Sequence, residues 1–152
     1  MIQILCPADA TSPLIGNNFY LNLYDKIKPG TVYRPLVKLT NQVTGYSKIV
    51  SVSGATTNKD RYLFSQIISN RGVVPEDLDA GNVLFGNTNF PLGFYDVVIY
   101  KNTSNVNMDI SGLSIIYNGL ANVTGNTDDT EPVKYSEYTT NDSDTESVYI
   151  TF

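Results

Sequence analysis

The chain has 152 residues, of which 41% are hydrophobic and 16% are charged, and its formal net charge is −5. This length fits one domain, and area scaling predicts that folding buries about two thirds of the unfolded chain's surface. The absence of histidine and the single cysteine, Cys6, exclude His-based triads, His-containing metal sites, intrachain disulfides and thiolate zinc clusters.

The composition predicts strands and turns rather than helices. The chain contains 16 Asn, 15 Thr and 12 Ser residues together with 11 Tyr and 6 Phe, and β-branched and aromatic residues favour strands. No stretch approaches the roughly 20 apolar residues that a membrane-spanning helix needs, and residues 1–6 lack the basic region of a signal peptide. We therefore expect synthesis in a cytoplasm without export, and no membrane partner.

Charge is distributed unevenly along the chain. Residues 1–75 contain eight basic and three acidic residues, whereas residues 76–152 contain two basic and twelve acidic residues. Such asymmetry can mark a basic binding face or an acidic tail. Alternatively, both halves share one domain and their opposite charges neutralise each other on its surface. The basic residues of the first half are spaced singly from Lys26 to Arg71, so nucleic-acid binding is not expected.

The first third of the chain predicts short extended segments. Residues 1–6 alternate enough to predict a strand, and residues 7–18 predict a turn-rich connection. Residues 19–24 form a short segment rich in aromatic residues. Residues 32–39 predict an extended segment, and Pro35 within it indicates an edge strand or a bulge, because proline cannot donate to a ladder.

The middle of the chain predicts strands over residues 46–52, 61–69 and 94–101. The last of these is the clearest, because both of its faces are largely apolar, as in the central strand of a sheet. Residues 73–79 predict one short helical turn, since a proline followed by acidic residues suits a helix start.

The last third predicts a hairpin and two further strands. Residues 113–117 and 120–123 predict two strands joined by a turn at Asn118-Gly119. Residues 133–138 and 148–152 predict two more strands with an acidic loop between them. About ten short strands separated by turn signals are typical of an all-β sandwich or barrel.

We therefore expect residues 1–152 to form a single antiparallel β-sandwich, jelly-roll-like or immunoglobulin-like, with about 8–10 short strands. Residues 1–18 either belong to this domain or form an N-terminal arm. In an arm, Ile2, Ile4 and Leu5 would contact a partner by adding a strand to the exposed edge of its sheet. Alternatively, the same residues would form a strand in the chain's own sheet.

Acidic residues offer few candidates for a metal or catalytic site. Asp142, Asp144 and Glu146 alternate as in the opening of a calcium loop, but the segment lacks the glycine and the closing glutamate of such a loop. Solvated loop acids are the better interpretation, so we predict no metal site and no cofactor. Asp96, in mid-strand, is open to a catalytic interpretation and equally to a cross-strand pair. We predict no catalytic residue and no enzyme activity.

Five segments of the chain, taken in order, resemble one family. They are Leu39-Thr-Asn-Gln-Val-Thr-Gly-Tyr-Ser-Lys48, Asn58-Lys-Asp-Arg-Tyr-Leu-Phe64, Pro91-Leu-Gly-Phe-Tyr-Asp-Val-Val-Ile-Tyr100, Ile115-Ile-Tyr-Asn-Gly-Leu-Ala-Asn-Val123 and Val148-Tyr-Ile-Thr-Phe152. Their order is similar to that in small all-β virion proteins of tailed bacteriophages, including auxiliary capsid or head-associated proteins of crAss-like gut phages. The resemblance spans residues 36–152.

The resemblance implies a structural, non-enzymatic protein of the virion, assembled in the cytoplasm of the host bacterium. It implies the major capsid protein or another virion protein as partner, with a homo-oligomer also open, and an auxiliary role decorating the outer capsid surface. The alternative is a carbohydrate-binding or adhesion module of a fibre or tail, because tyrosine rings stack on sugars. Capsid docking predicts an exposed apolar or edge-strand patch, whereas sugar binding predicts a groove with two or more exposed tyrosines.

Overall fold

The computed structural model describes residues 1–22, 26, 28, 31–52, 56–57 and 62–126. Within these ranges the chain is all-β, as predicted, and its regular structure consists of strands. In chain order the strands are β1 (Ile2–Cys6), β2 (Ile15–Asn22), β3 (Val32–Tyr33), β4 (Leu36–Asn41), β5 (Ser47–Ser51), β6 (Thr56–Thr57), β7 (Tyr62–Asn70), β8 (Asn82–Leu84), β9 (Gly93–Tyr100) and β10 (Ile115–Gly125).

The described strands form three sheets. A five-stranded sheet has the order β1-β10-β9-β4-β5, a three-stranded sheet has the order β2-β7-β8, and β3 pairs with β6. The pairs β1–β10 and β7–β8 are parallel, whereas the other pairs are antiparallel. The expectation of a purely antiparallel arrangement is therefore wrong at two pairs. Parallel neighbours need a crossover connection rather than a tight turn, and residues 71–81 supply one between β7 and β8.

One hydrophobic cluster draws its side chains from both larger sheets. β9 buries Tyr95, Val97 and Ile99 at alternate positions, and β2 buries Phe19 and Leu21 in the same way. Successive side chains of a strand point to opposite faces, so this alternation defines an inner face on each sheet. On the other face of the five-stranded sheet the described side chains are half-buried to exposed.

Three aromatic rings fill one part of the cluster. The ring centroids of Phe85, Phe90 and Tyr95 lie 4.7–5.8 Å from one another. The Tyr95 hydroxyl donates a hydrogen bond to the Pro91 carbonyl oxygen. Buried tyrosines need such a partner for the hydroxyl, so the ring can pack in the core without leaving a polar atom unsatisfied.

β2 begins at Ile15, so the prediction of a turn-rich connection through residue 18 is wrong beyond residue 14. Gly16 and the Asn17-Asn18 pair are typical of turns. In the structure Asn17 is buried, and its side-chain amide bonds to the backbone of Leu5 in β1. The Asn17 side-chain amide therefore links β2 to β1 and does not form a local turn.

Pro35 separates two strands, and the prediction that it lies in an edge strand or bulge is wrong. β3 ends at Tyr33 and β4 begins at Leu36, and β4 lies in the sheet interior between β9 and β5. The Pro35 carbonyl accepts a hydrogen bond from the Val52 N–H at 3.2 Å. A proline just outside the ladder leaves every N–H of β4 able to pair.

Residues 73–79 form no helical turn, contrary to the prediction. Asp77 instead makes an isolated antiparallel bridge with Asn82. The Asn70 side-chain amide donates to the Val74 carbonyl at 2.6 Å, and Glu76 Oε1 accepts from the Leu84 N–H at 2.9 Å. These tertiary contacts outweigh the weak local preference for a helix start.

β10 runs without a break from Ile115 to Gly125, so the predicted hairpin turn at Asn118-Gly119 is wrong. These two residues pair with Val98 and Val97 of β9. The hydrogen-bonded ladder between β10 and β9 continues through Asn118 and Gly119, and a turn at these residues would remove the pairs in the middle of that ladder. An Asn-Gly pair favours a turn only where no neighbouring strand competes for the backbone.

Three predicted strands are confirmed with ends shifted by one residue. Residues 46–52, 61–69 and 94–101 correspond to β5, β7 and β9. β9 lies between β10 and β4, which confirms the central position that its two apolar faces predict. The predicted strands over residues 133–138 and 148–152 lie outside the described residues.

Candidate interaction surface

The outer face of the five-stranded sheet carries a group of exposed apolar side chains. Leu5 of β1, Leu120 of β10 and Phe94 of β9 are 40%, 42% and 50% exposed. Phe94 pairs with Asn122; on the same face, Leu120 lies two residues before Asn122 in β10, and Leu5 pairs with Thr124, two residues after it. We call Leu5, Phe94 and Leu120 the outer patch. Exposed apolar side chains grouped in this way are typical of a protein contact.

The three residues predicted to contact a partner do not share one face. Ile2 and Ile4 point inward and are 8% and 1% exposed, whereas Leu5 belongs to the outer patch. β1 pairs in parallel with β10 of its own chain. Of the two alternatives for this segment, the structure therefore shows the one in which it completes the chain's own sheet.

Asp96 lies beside the outer patch on the exposed face of β9. Its Oδ1 accepts a hydrogen bond from the Gln42 side-chain amide at 2.9 Å. Of the two interpretations of Asp96, the structure therefore shows the cross-strand pair, and its partner is the amide of Gln42. The patch consequently has a polar rim of carboxylate and amide groups.

A groove of about 410 Å³ lies at the edge of the sheet, between β1, β2 and β10. Its lining includes Gln3, Asn18, Tyr20 and Tyr117. Tyr20 is 67% exposed and packs against the Phe64 ring at a centroid distance of 5.2 Å. This combination of rings, amides and strand edges suits an extended peptide or a polar ligand.

Asn17 closes part of the same sheet edge. Its Oδ1 accepts from the Leu5 N–H at 2.7 Å, and its Nδ2 donates to the Leu5 carbonyl at 3.0 Å. Nδ2 also lies 3.1 Å from Ser69 Oγ of β7. One side chain thus substitutes for a neighbouring strand at Leu5. Sequence reasoning missed this role because a buried and an exposed asparagine look alike in a sequence.

A second pocket, of about 460 Å³, lies beside Tyr46 and is bordered by Asn87, Thr88 and Asn89. At its base Lys48 Nζ lies 2.6 Å from Glu76 Oε1. The same ammonium group lies 4.4 Å from the centroid of the Phe90 ring. The pocket therefore has an aromatic side, an amide side and a neutralised ion pair.

Two buried groups have raised pKa values. Burial raises the pKa of the Cys6 thiol to about 11 and that of the Tyr95 hydroxyl to about 12. Both groups are therefore protonated near neutral pH, and Cys6, which is fully buried, packs in the core as a small apolar residue. Exposed Asp9 has its pKa lowered to about 2, chiefly by hydrogen bonds from Thr11.

The described residues hold no group of three or more His, Cys, Asp or Glu side chains that could bind a metal. The weak metal candidates Asp142, Asp144 and Glu146 lie outside those residues. In the same part of the chain no helix is long and apolar enough to cross a membrane.

Comparison with family models, with curated proteins and with solved structures gives no match to this chain.

Proposed function

We propose that the chain is a structural virion protein that binds the outer surface of a tailed-phage capsid. The observation that carries the proposal is the outer patch of Leu5, Phe94 and Leu120, which are exposed on one face of the five-stranded sheet. The partner is the major capsid protein or another virion protein, and the site of action is the assembled virion. The order of sequence segments that resembles head-associated proteins supports the same assignment.

The chemistry of the outer patch suits docking to a large protein surface. Asn122 lies among its apolar groups, and the hydrogen-bonded pair of Asp96 and Gln42 lies beside them. Protein interfaces likewise combine apolar contacts with hydrogen-bonding groups. A capsid shell presents many copies of its subunit. A protein that binds the shell as an oligomer makes several contacts at once, so each single contact can be weak.

The proposed fold is a single β-sandwich, jelly-roll-like or immunoglobulin-like, made from the two larger sheets. The shared hydrophobic cluster supports this, because Val37 and Val97 of one sheet lie in it with Phe19 and Ile67 of the other. In such a sandwich the inner faces meet and the outer face of the five-stranded sheet stays free for a partner.

Co-sedimentation with capsids of the source phage tests the proposal. The protein should saturate at a fixed copy number per capsid, and Leu120→Glu should weaken binding at least tenfold, because it places a charge in the apolar contact. Val106→Glu is the matched control, since Val106 is 84% exposed in the loop that follows β9, at the opposite end of that strand from Phe94. Absence of co-sedimentation, or equal binding of both variants, would refute docking through this patch.

Carbohydrate binding is the second candidate, favoured by the pocket beside Tyr46, which has one exposed tyrosine, whereas the sequence-based expectation is two or more. Tyr46 is 55% exposed, and Asn87, Thr88 and Asn89 offer amide and hydroxyl groups next to it. A glycan screen with the protein and with Tyr46→Ala tests this candidate. Binding lost on substitution would support an adhesion module, and no binding to any glycan would reject it.

A further inference from the structure

Three segments that are distant in the sequence meet at the pocket beside Tyr46. Tyr46 and Lys48 come from the β4–β5 hairpin, Glu76 comes from the connection between β7 and β8, and residues 87–89 come from the loop between β8 and β9. Their side chains border a space of about 460 Å³, which lies within the size range of small-molecule pockets.

Hydrogen bonds hold the loop that borders this pocket. The Gly86 N–H donates to the Phe90 carbonyl at 2.8 Å, and the Phe90 N–H donates to Asn87 Oδ1 at 2.7 Å. The Thr44 hydroxyl donates to the Asn89 carbonyl at 2.7 Å and so joins the loop to the hairpin. The Phe90 ring is fully buried in the core. The pocket is therefore preformed, and a ligand does not have to order the loop in order to bind.

The ammonium group of Lys48 is engaged within the protein. Its Nζ lies 2.6 Å from Glu76 Oε1, donates to the Leu84 carbonyl at 2.9 Å and lies 4.4 Å from the centroid of the Phe90 ring. An ammonium group has three N–H donors, and these three contacts account for them. Lys48 therefore has no N–H to spare for an anionic ligand, and its charge is neutralised by Glu76.

Among the described residues, the partners of Glu76 leave one of its carboxylate oxygens to a ligand. Lys48 Nζ and the Leu84 N–H both donate to Oε1, at 2.6 and 2.9 Å. The Glu76 side chain is 27% exposed and lines the pocket. A carboxylate only accepts hydrogen bonds, and bonds to an ionised acceptor are about twice as strong as neutral ones. Oε2 therefore favours a ligand that carries hydroxyl hydrogens.

The rest of the lining combines polar groups with one aromatic ring. Thr88 and Asn89 are exposed and present a hydroxyl and an amide, which both donate and accept hydrogen bonds. The Tyr46 side chain is 55% exposed. A sugar has an apolar C–H face and hydroxyl groups around its rim, so it matches a ring that is surrounded by such donors and acceptors.

We propose that this pocket binds an uncharged hexose unit, with its C–H face on the Tyr46 ring and one hydroxyl donating to Glu76 Oε2. Thr88 and Asn89 pair with further hydroxyl groups. A sugar acid binds less tightly, because its carboxylate lies near Glu76 without a cation to pair with. This inference names the ligand class for the carbohydrate candidate and rests on that candidate, not on capsid docking.

Titration of the full-length protein, followed by backbone amide chemical shifts, tests the ligand class. The probes are the methyl glycosides of glucose, galactose and mannose, each compared with its uronic acid, which has a carboxylate in place of the CH₂OH group. At least one neutral glycoside should give saturable shifts at residues 46, 88 and 89 and should bind at least about tenfold more tightly than its acid. No saturable shift with any neutral glycoside, or an acid that binds equally tightly, would overturn the proposal.

Two substitutions separate the carboxylate of Glu76 from a general effect of charge. Glu76→Gln keeps an acceptor for the Leu84 N–H but removes the negative charge. Binding of the neutral glycoside should weaken about threefold or more, and the preference for the neutral sugar over its acid should fall about tenfold. Asp79→Asn removes the same charge from the same connection, at an exposed position outside the pocket lining, and should change neither value. An unchanged preference in Glu76→Gln would overturn the role of its carboxylate.

Three further variants test the contact with the Tyr46 ring. Tyr46→Phe keeps the ring and should retain binding, whereas Tyr46→Ala should weaken binding at least about tenfold, because the stacking surface is lost. Tyr20→Ala is the matched control, since Tyr20 is 67% exposed and lines the separate groove between β1, β2 and β10. Equal binding by Tyr46→Ala and Tyr20→Ala would overturn the placement of the sugar.

Failure of this inference is distinguishable from failure of the wider proposals. Glycan binding that maps outside the pocket, or that favours acidic sugars, would overturn the inference and leave the adhesion candidate in place. Absence of binding to any glycan would reject both. Capsid co-sedimentation is a separate measurement, and its result bears on the outer patch.

Discussion

Asn17 joins the edges of the two larger sheets through one buried side chain. It bonds to the N–H and the carbonyl of Leu5 in β1 and to Ser69 Oγ in β7, while it belongs to β2 itself. Ser69 Oγ also donates to the Leu5 carbonyl at 2.6 Å. A buried polar group stabilises a fold only when its partners are present, so this network fixes the position of β1 relative to β2.

Replacing Asn17 by alanine should lower the free energy of unfolding by about 1–3 kcal/mol, because the partly buried Leu5 N–H and the buried Ser69 hydroxyl each lose a partner. Asn18→Ala is the matched control: Asn18 is exposed on the next position of the same strand and bonds to Gln66. It should cost less than about 1 kcal/mol. Urea unfolding of both variants measures the difference, and equal costs would contradict the role of Asn17.

Cys6 and Tyr95 make the stability sensitive to alkaline pH. The pKa of the Cys6 thiol is raised by burial from 9.0 to about 11, so the folded state binds the proton more tightly than the unfolded state. Stability from this group is complete below pH 9 and is lost as the pH rises toward 11. The raised Tyr95 pKa acts in the same direction at higher pH.

Urea unfolding at pH 7, 9 and 10 should therefore show falling stability above pH 9, with Cys6 contributing on the order of 1–2 kcal/mol by pH 10. Cys6→Ala should be less stable at pH 7, because it leaves a small cavity, but should show a flatter dependence between pH 9 and 10. An unchanged slope in Cys6→Ala would contradict the assignment.

At the scale of the element, β10 depends on a glycine where the sequence suggests a turn. Gly119 lies under the Tyr117 ring, whose Cε1 atom would be 3.0 Å from an added Cβ. Gly125 in the same strand would have only an ordinary contact of 3.5 Å with Leu92. The glycine at residue 119 therefore allows close approach of a ring, not a change of chain direction.

Gly119→Ala should lower the free energy of unfolding by about 1–2 kcal/mol, because the new Cβ displaces the Tyr117 ring from its place against the core. In a Tyr117→Ala background the same change should be neutral or stabilising, since alanine is favoured over glycine within a strand. Gly125→Ala is the control and should be close to neutral. Additive effects at residues 117 and 119 would contradict the contact.

Sequence alternation predicts β1, β5, β7 and β9 because each of them has local signals at both ends. It fails at β2 and β10, where asparagine and glycine have tertiary roles that resemble turn chemistry. The candidate site is harder to predict. Leu5, Phe94 and Leu120 come from three strands, and their proximity follows from the parallel pairing of β1 with β10. That pairing joins opposite ends of the described chain, and no local pattern in either strand encodes it.

At the scale of the whole molecule, the two candidate surfaces belong to the same sheet but differ in chemistry. The outer patch consists of three exposed apolar side chains on one face of β1, β10 and β9. The groove lies between β1, β2 and β10 and is lined by amide and tyrosine side chains.

The shared core predicts that the two larger sheets unfold together. Ile67 of β7 is 1% exposed and lies in the same cluster as Val97 of β9. Ile67→Ala should lower the free energy of unfolding by about 2–4 kcal/mol, and native-state hydrogen exchange should show the same loss at the slowest amides of β9 and of β7. Val43→Ala, at an exposed turn position, should change neither. A substitution in a common core destabilises every element that packs on it. A loss of protection confined to the three-stranded sheet would therefore contradict the shared core and mean that the two sheets unfold as separate cooperative units.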